Sequence, residues 1–236
     1  MWASESQFAS RFESFLYWRS GQLGRQGKGS VVLREYNPGY GRPDMVQIVY
    51  DLGRLQERKK SIYSENCRQF DSISAFAMAY LTHRRWVLTE RLGDAVSAGP
   101  QKIKKVVSRL EARGLIETQG NLVKACAKAK NLVIDRIEAF ELKLENWQRA
   151  VEQAGRHLWF ASQSYIVMPE RSTRLKNQMA ECCVASNIGL ILCETEDNWE
   201  TLTHPPRAIV PTSHIGWLLN EWVVSGESYA RLRIAN

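Results

Sequence analysis

Apolar positions near the start of the chain keep helical spacing: Phe8, Phe12, Phe15 and Leu16 share one face of a helix over residues 4–19. Residues 31–36 and 45–51 read instead as strands, and the NPGYGRP between them supplies the glycines and prolines of a turn or wide loop, which makes a hairpin. From Ser72 the helical period returns. SISAFAMAYLTHR is one helix, Thr89 is placed to cap a second over TERLGDAVSA, and Gly99-Pro100 opens a third, QKIKKVVSRLEARG, which Gly114 closes. The segment LIETQGNLVKA then reads as two short strands around a Gly-centred turn.

Beyond residue 130 the period alternates. Strand NLVIDRIEAFELKL, helix ENWQRAVEQAGRHLWFA, strand SYIVMP, helix RLKNQMAECCVAS and strand NIGLILCE follow in turn, and SHIGWLLNEWVVSGESYARL forms a last helix. Strands separated by helices imply crossover connections and an α/β fold with an at least partly parallel sheet. The three helices and hairpin at 72–130 have the order of a winged helix. In particular, LTERLGDAVSAGPQKIKKVVSRLEARGLIE resembles the winged helix-turn-helix of bacterial regulators.

Charge sharpens this division. The chain carries 32 Lys/Arg against 25 Asp/Glu, a net +7. Residues 84–130 alone hold eleven Lys/Arg and four Asp/Glu, so the whole excess sits there. A positive field confined to one module suits a polyanion such as double-stranded DNA. Gln101, Lys102, Lys104, Lys105 and Arg109 lie on the third helix, whose Ile103, Val106, Val107 and Leu110 form its inward face. Lys124, Lys128 and Lys130 extend the charge along and past the hairpin. Winged helices also dock proteins, so the fold alone does not fix the partner.

The five cysteines form no CxxC pair and the four histidines no metal-binding spacing, so zinc is not signalled. No apolar run has the length of a membrane span, and the N-terminal sequence lacks the pattern of a signal peptide. The expectation is a cytoplasmic protein without a membrane partner.

Two short runs offer phosphodiester chemistry, which needs carboxylates that converge on hard divalent ions and a cation near the attacking water. In GRPDMVQIVYD, Asp44 opens a strand directly after Pro43. In IEAFELKL, Glu141 and Lys143 are two apart and project from one strand face, while Phe140, Leu142 and Leu144 face the other way. Taken alone, such a pair also fits a solvated strand edge.

Together these runs resemble the PD-(D/E)xK nuclease-like superfamily, with Pro43-Asp44 as its PD element and Glu141-Leu142-Lys143 as its ExK element. The superfamily's QxxxY on the following helix is matched by Gln153 and, in place of the tyrosine, His157. The resemblance implies a restriction-endonuclease-like core, residues 1–71 and 131–236, with the winged helix at 72–130 inserted between the PD and ExK strands. It implies that Asp44, Glu141 and the Leu142 carbonyl hold Mg²⁺ or Mn²⁺, that Lys143 orients or activates water, and that Gln153 supports the site. Glu35 or Glu13 is a further acidic candidate. The activity implied is a metal-dependent DNA endonuclease, working as a homodimer if both strands are cut. The alternative is a non-catalytic DNA-binding regulator or scaffold that keeps the fold for dimerisation or for a protein partner.

Overall fold

The computed structural model describes residues 2, 4–60, 70–127, 132–195, 198–206 and 208–226. In chain order its elements are α1 (Glu5–Gly24), β1 (Lys28–Arg34), β2 (Met45–Asp51), α2 (Leu52–Lys60), α3 (Ser72–Thr82), β3 (Val87–Leu88), α4 (Thr89–Ala95) and α5 (Pro100–Ala112). There follow β4 (Ile116–Gln119), β5 (Leu122–Ala125), β6 (Ile134–Leu142), α6 (Trp147–His157), β7 (Gln163–Pro169), α7 (Thr173–Ala185), β8 (Gly189–Thr195), β9 (Asn198–Thr203) and α8 (His214–Ser225). The protein is mixed α/β. No described helix is long and apolar enough to cross a membrane. The chain divides into two compact units, Met1–Asp51 with Ile134–Pro211 and Leu52–Val133 with Thr212–Asn236. The division differs from the one read in the sequence, because α2 and α8 fall in the second unit.

The first unit is a six-stranded sheet in the order β1-β2-β6-β7-β8-β9. The pairs β6·β7 and β7·β8 are parallel, joined through α6 and α7, and the other pairs are antiparallel. Strands β7 and β8 are near-continuous apolar runs because both their faces are covered. Tyr165, Val167, Ile191 and Cys193 meet Phe8, Phe12 and Leu16 of α1, whereas Ile166, Met168, Leu190 and Leu192 meet Ala150, Val151 and Ala154 of α6 and Met179 and Cys183 of α7. Phe8, Phe12 and Leu16 are fully buried, each contributing about 1.5–3 kcal/mol by leaving water. Strand β9 was not anticipated. Its NWETLT has no apolar run, as suits an edge strand whose side chains are half-buried or exposed.

The second unit packs α3, α4 and α5 with an antiparallel sheet in the order β3-β5-β4. Asp71 caps α3 by accepting from the Ser74 N–H, and Pro100 stands in the first turn of α5 after Gly99. Gly114 and Gly120 have φ of +64° and +60°, the left-handed values that the end of α5 and the β4–β5 turn require. Thr89 does not cap α4. That position falls to Leu88, and the Thr89 hydroxyl donates instead to the Asn121 carbonyl.

Helix α8 completes this second unit. Trp217, 1% exposed, donates its indole N–H to Thr82, and Asn220 accepts from the Val133 N–H at 2.8 Å. Beside it Glu221 is held by Arg113 at 2.9 Å and Arg58 at 3.4 Å. Helix α2 supplies Arg58 and escaped sequence reading because its LGRLQERKK buries only Leu55.

Candidate functional site

The β2–β6 register brings the two carboxylates together. Met45 lies opposite Phe140 in this antiparallel pair, so one step beyond it Asp44 stands across from Glu141. Phe140 and Leu142 join the α1-side core, which leaves Glu141 on the face covered by α6. The Asp44 Oδ2 accepts from the Leu142 N–H at 2.8 Å, and the Lys143 N–H is tied to the Val167 carbonyl of β7. Both residues are therefore fixed by main-chain bonds at the strand ends.

Lys143 Nζ lies 3.0 Å from Glu141 Oε1 and 4.0 Å from Asp44 Oδ2. The Glu141 carboxylate is almost wholly buried, and its second oxygen meets His157 Nε2 at 3.3 Å. Burial, with the negative charge of Glu141 next, raises the Asp44 pKa above 3.8; the Leu142 N–H and Lys143 only partly counter this. Burial works against the charge of Lys143, but the Glu141 hydrogen bond and the charges of Glu141 and Asp44 outweigh it and hold the ammonium above its ordinary range. The cluster thus sets two carboxylates against one firmly protonated amine.

Gln153 and Lys143 line a pocket of ≈ 480 Å³ with Glu5, Leu144, Glu145, Asn146 and Arg149. The Gln153 Oε1 is buried without a hydrogen-bond partner among the described residues. Two hard carboxylates and an unsatisfied carbonyl-type oxygen are the donor chemistry that Mg²⁺ or Mn²⁺ takes, so the residues fit such an ion.

The loop before β2 is held against the end of α6. Trp159 donates its indole N–H to the Tyr40 carbonyl at 2.8 Å. Gly41, with φ +69°, comes so close that a β-carbon there would lie 3.2 Å from His157 Nδ1 and 3.6 Å from Arg156. His157, where the resemblance has tyrosine, therefore meets the Glu141 carboxylate and leaves little room for a side chain on the loop that leads to Asp44.

The two further acidic candidates turn their carboxylates to arginines, although the Glu35 N–H donates to the Asp44 carbonyl at 2.9 Å. Exposed Glu35 pairs with Arg42 at 2.5 Å, and Glu13 pairs with Arg34 at 2.5 Å. Glu5 does line the pocket, together with Glu145, and its charge acts on both Asp44 and Lys143. In the sequence it is only an acidic residue in the first turn of a helix, with nothing to tie it to a residue so far along the chain. The buried Glu138, three before Glu141, points to the opposite sheet face. There Arg19 binds both its oxygens at 2.7 and 2.9 Å, beside a cleft of ≈ 520 Å³. That carboxylate is already neutralised and has a structural part.

In the second unit, Gln101, Lys102, Lys104 and Lys105 are exposed along α5, while Ile103, Val106 and Leu110 are buried and Val107 is half-buried. Two of the expected contacts are otherwise engaged. Arg109 pairs with Asp71 at 2.6 Å, and Lys124 pairs with Glu117 at 2.8 Å and stands over the Trp86 ring at 4.6 Å. Lys128 and Lys130 lie outside the described residues. No family model, curated protein or solved structure matches the chain.

Proposed function

We propose that this protein is a divalent-metal-dependent DNA endonuclease of the PD-(D/E)xK nuclease-like kind, with a winged helix-turn-helix that holds duplex DNA. The observation that carries the reading is the meeting of Asp44, Glu141 and Lys143 at adjoining strand ends, from positions far apart in the sequence. Asp44, Glu141 and the Leu142 carbonyl would hold Mg²⁺ or Mn²⁺, which when bound supplies Lewis acidity at a phosphodiester oxygen. Lys143, held protonated by its two carboxylate neighbours, serves as a charged hydrogen-bond donor to the phosphate or water rather than as a base. Gln153 orients groups in the same pocket. The exposed lysines of α5 meet DNA phosphates, and Gln101 at the start of that helix is placed to reach a base edge. Arg109 and Lys124 support this surface through their partners. Two chains acting together would cut both strands.

One observation favours a second reading, a DNA-binding scaffold without catalysis: both Glu141 oxygens already have partners, Lys143 and His157. Incubating supercoiled and linear DNA with the parent, Glu141→Ala and Lys143→Ala in Mg²⁺, Mn²⁺ or EDTA separates the two. Metal-dependent cutting by the parent alone supports the nuclease. Firm DNA binding without cutting by any of the three supports the scaffold.

A further inference from the structure

We propose that Arg149 anchors a phosphate of the DNA strand close to the one at the carboxylates, which makes the pocket beside Lys143 a seat for the substrate backbone. The proposal rests on the reading of DNA as the substrate of this site. Arg149 and Gln153 stand four apart on α6, on one helix face, and both line the pocket that Lys143 closes. Four helical residues span about 6 Å along the axis, against a rise of ~3.4 Å per nucleotide along the axis of a duplex. A phosphate one nucleotide from the one at the carboxylates therefore falls within the length from Gln153 to Arg149.

The two pocket cations differ in how far they are already committed. Lys143 is bound to Glu141 at 3.0 Å, so its charge serves the carboxylate pair. The exposed Arg149 side chain makes no hydrogen bond or ion pair among the described residues, whereas its main-chain N–H is fixed by Asn146 Oδ1 at 3.3 Å. Its backbone is anchored and its guanidinium is uncommitted. Glu5 and Glu145 line the same pocket and repel a phosphate, so a nucleic-acid backbone needs a cation here to approach at all. A planar guanidinium suits this task because it meets a phosphate with two parallel N–H donors, which an ammonium cannot do.

The test is DNA affinity with Ca²⁺ in place of Mg²⁺, so that binding is read without turnover, for the parent, Arg149→Ala and Arg149→Lys. Loss of a hydrogen bond to a charged group predicts affinity about tenfold weaker for Arg149→Ala and a salt dependence shallower by about one ion; Arg149→Lys recovers the ion but only part of the affinity. A series of duplexes with single methylphosphonate substitutions then locates the contact. The parent is weakened by neutralising one particular phosphate to which Arg149→Ala is indifferent. If the parent binds and Arg149→Ala binds equally well, or responds to the series as the parent does, this inference fails while the nuclease reading stands. If the parent binds no DNA, both fail.

Discussion

Gly41→Ala tests how the loop before β2 is held against the site. Gly41 and Gly27 have nearly the same φ, +69° and +72°, but a β-carbon at Gly27 meets nothing within 4 Å, whereas at Gly41 it lies 3.2 Å from His157 Nδ1. Alanine in this region is strained by about 1–2 kcal/mol, and the smaller entropy of the unfolded chain returns about 0.4–1. Gly27→Ala should therefore cost about 1 kcal/mol. Gly41→Ala carries the same strain and also crowds a histidine that is 1% exposed, which adds about 1–3 kcal/mol of overpacking. Urea unfolding of both variants gives the difference. On the proposed nuclease reading, metal-dependent cleavage gives its functional side, because a ring displaced by the new methyl group shifts the partner of Glu141. Gly27→Ala should cleave as the parent does and Gly41→Ala should lose most of its activity. Equal stability losses and equal activities in the two variants would refute the contact as a support of the site.

Glu221→Ala strips the buried counter-charge from Arg113 and should cost about 3–5 kcal/mol in urea unfolding followed by tryptophan fluorescence, whereas replacing Glu221 and Arg113 together with apolar residues should cost far less; equal losses would show that the ion pair is not the cause. Changing Lys102, Lys104 and Lys105 together to alanine should leave folding intact and lower the salt dependence of DNA binding by about three ions, read from the slope of log affinity against log salt; an unchanged slope removes α5 from the interface. Burial opposes the charge of Asp71, but the Ser74 hydrogen bonds and Arg109 outweigh it and lower its pKa below 3.8. The stability this gives is present above pH 3.8 and is lost as pH falls through the lowered value, so Asp71→Asn should show a smaller drop across that window than the parent in acid titration of unfolding.

Much of the fold was legible because its patterns are local. The apolar runs of β7 and β8, the Gly-Pro start of α5 and the Gly120 turn state their structure within a few residues. Elements that depend on distant partners did not. Strand β9 and helix α2 are polar segments made regular by the strand β8 and by Glu221, and β3 is two residues defined only by its pairing with β5. The site divides in the same way. Glu141 and Lys143 announce a shared face by their spacing, but no local signal places Glu5 beside them or turns Glu35 toward Arg42. Arg109 and Lys124 read as free cations in the sequence, since a contact with Asp71 or Glu117 is fixed only by folding.

The interleaving of the two units bears on the order in which the chain can finish folding. Every element of the sheet unit has been made once β9 and the residues to 211 have emerged, but the helical unit still lacks α8, which brings Trp217 and Glu221. Until then Arg113 has no carboxylate there to receive it, and α3 lacks the indole that meets Thr82. During synthesis the sheet unit can close while the helical unit still awaits α8. The helical unit that carries α5 is thus completed after the sheet unit, and the carboxylate cluster can form before it.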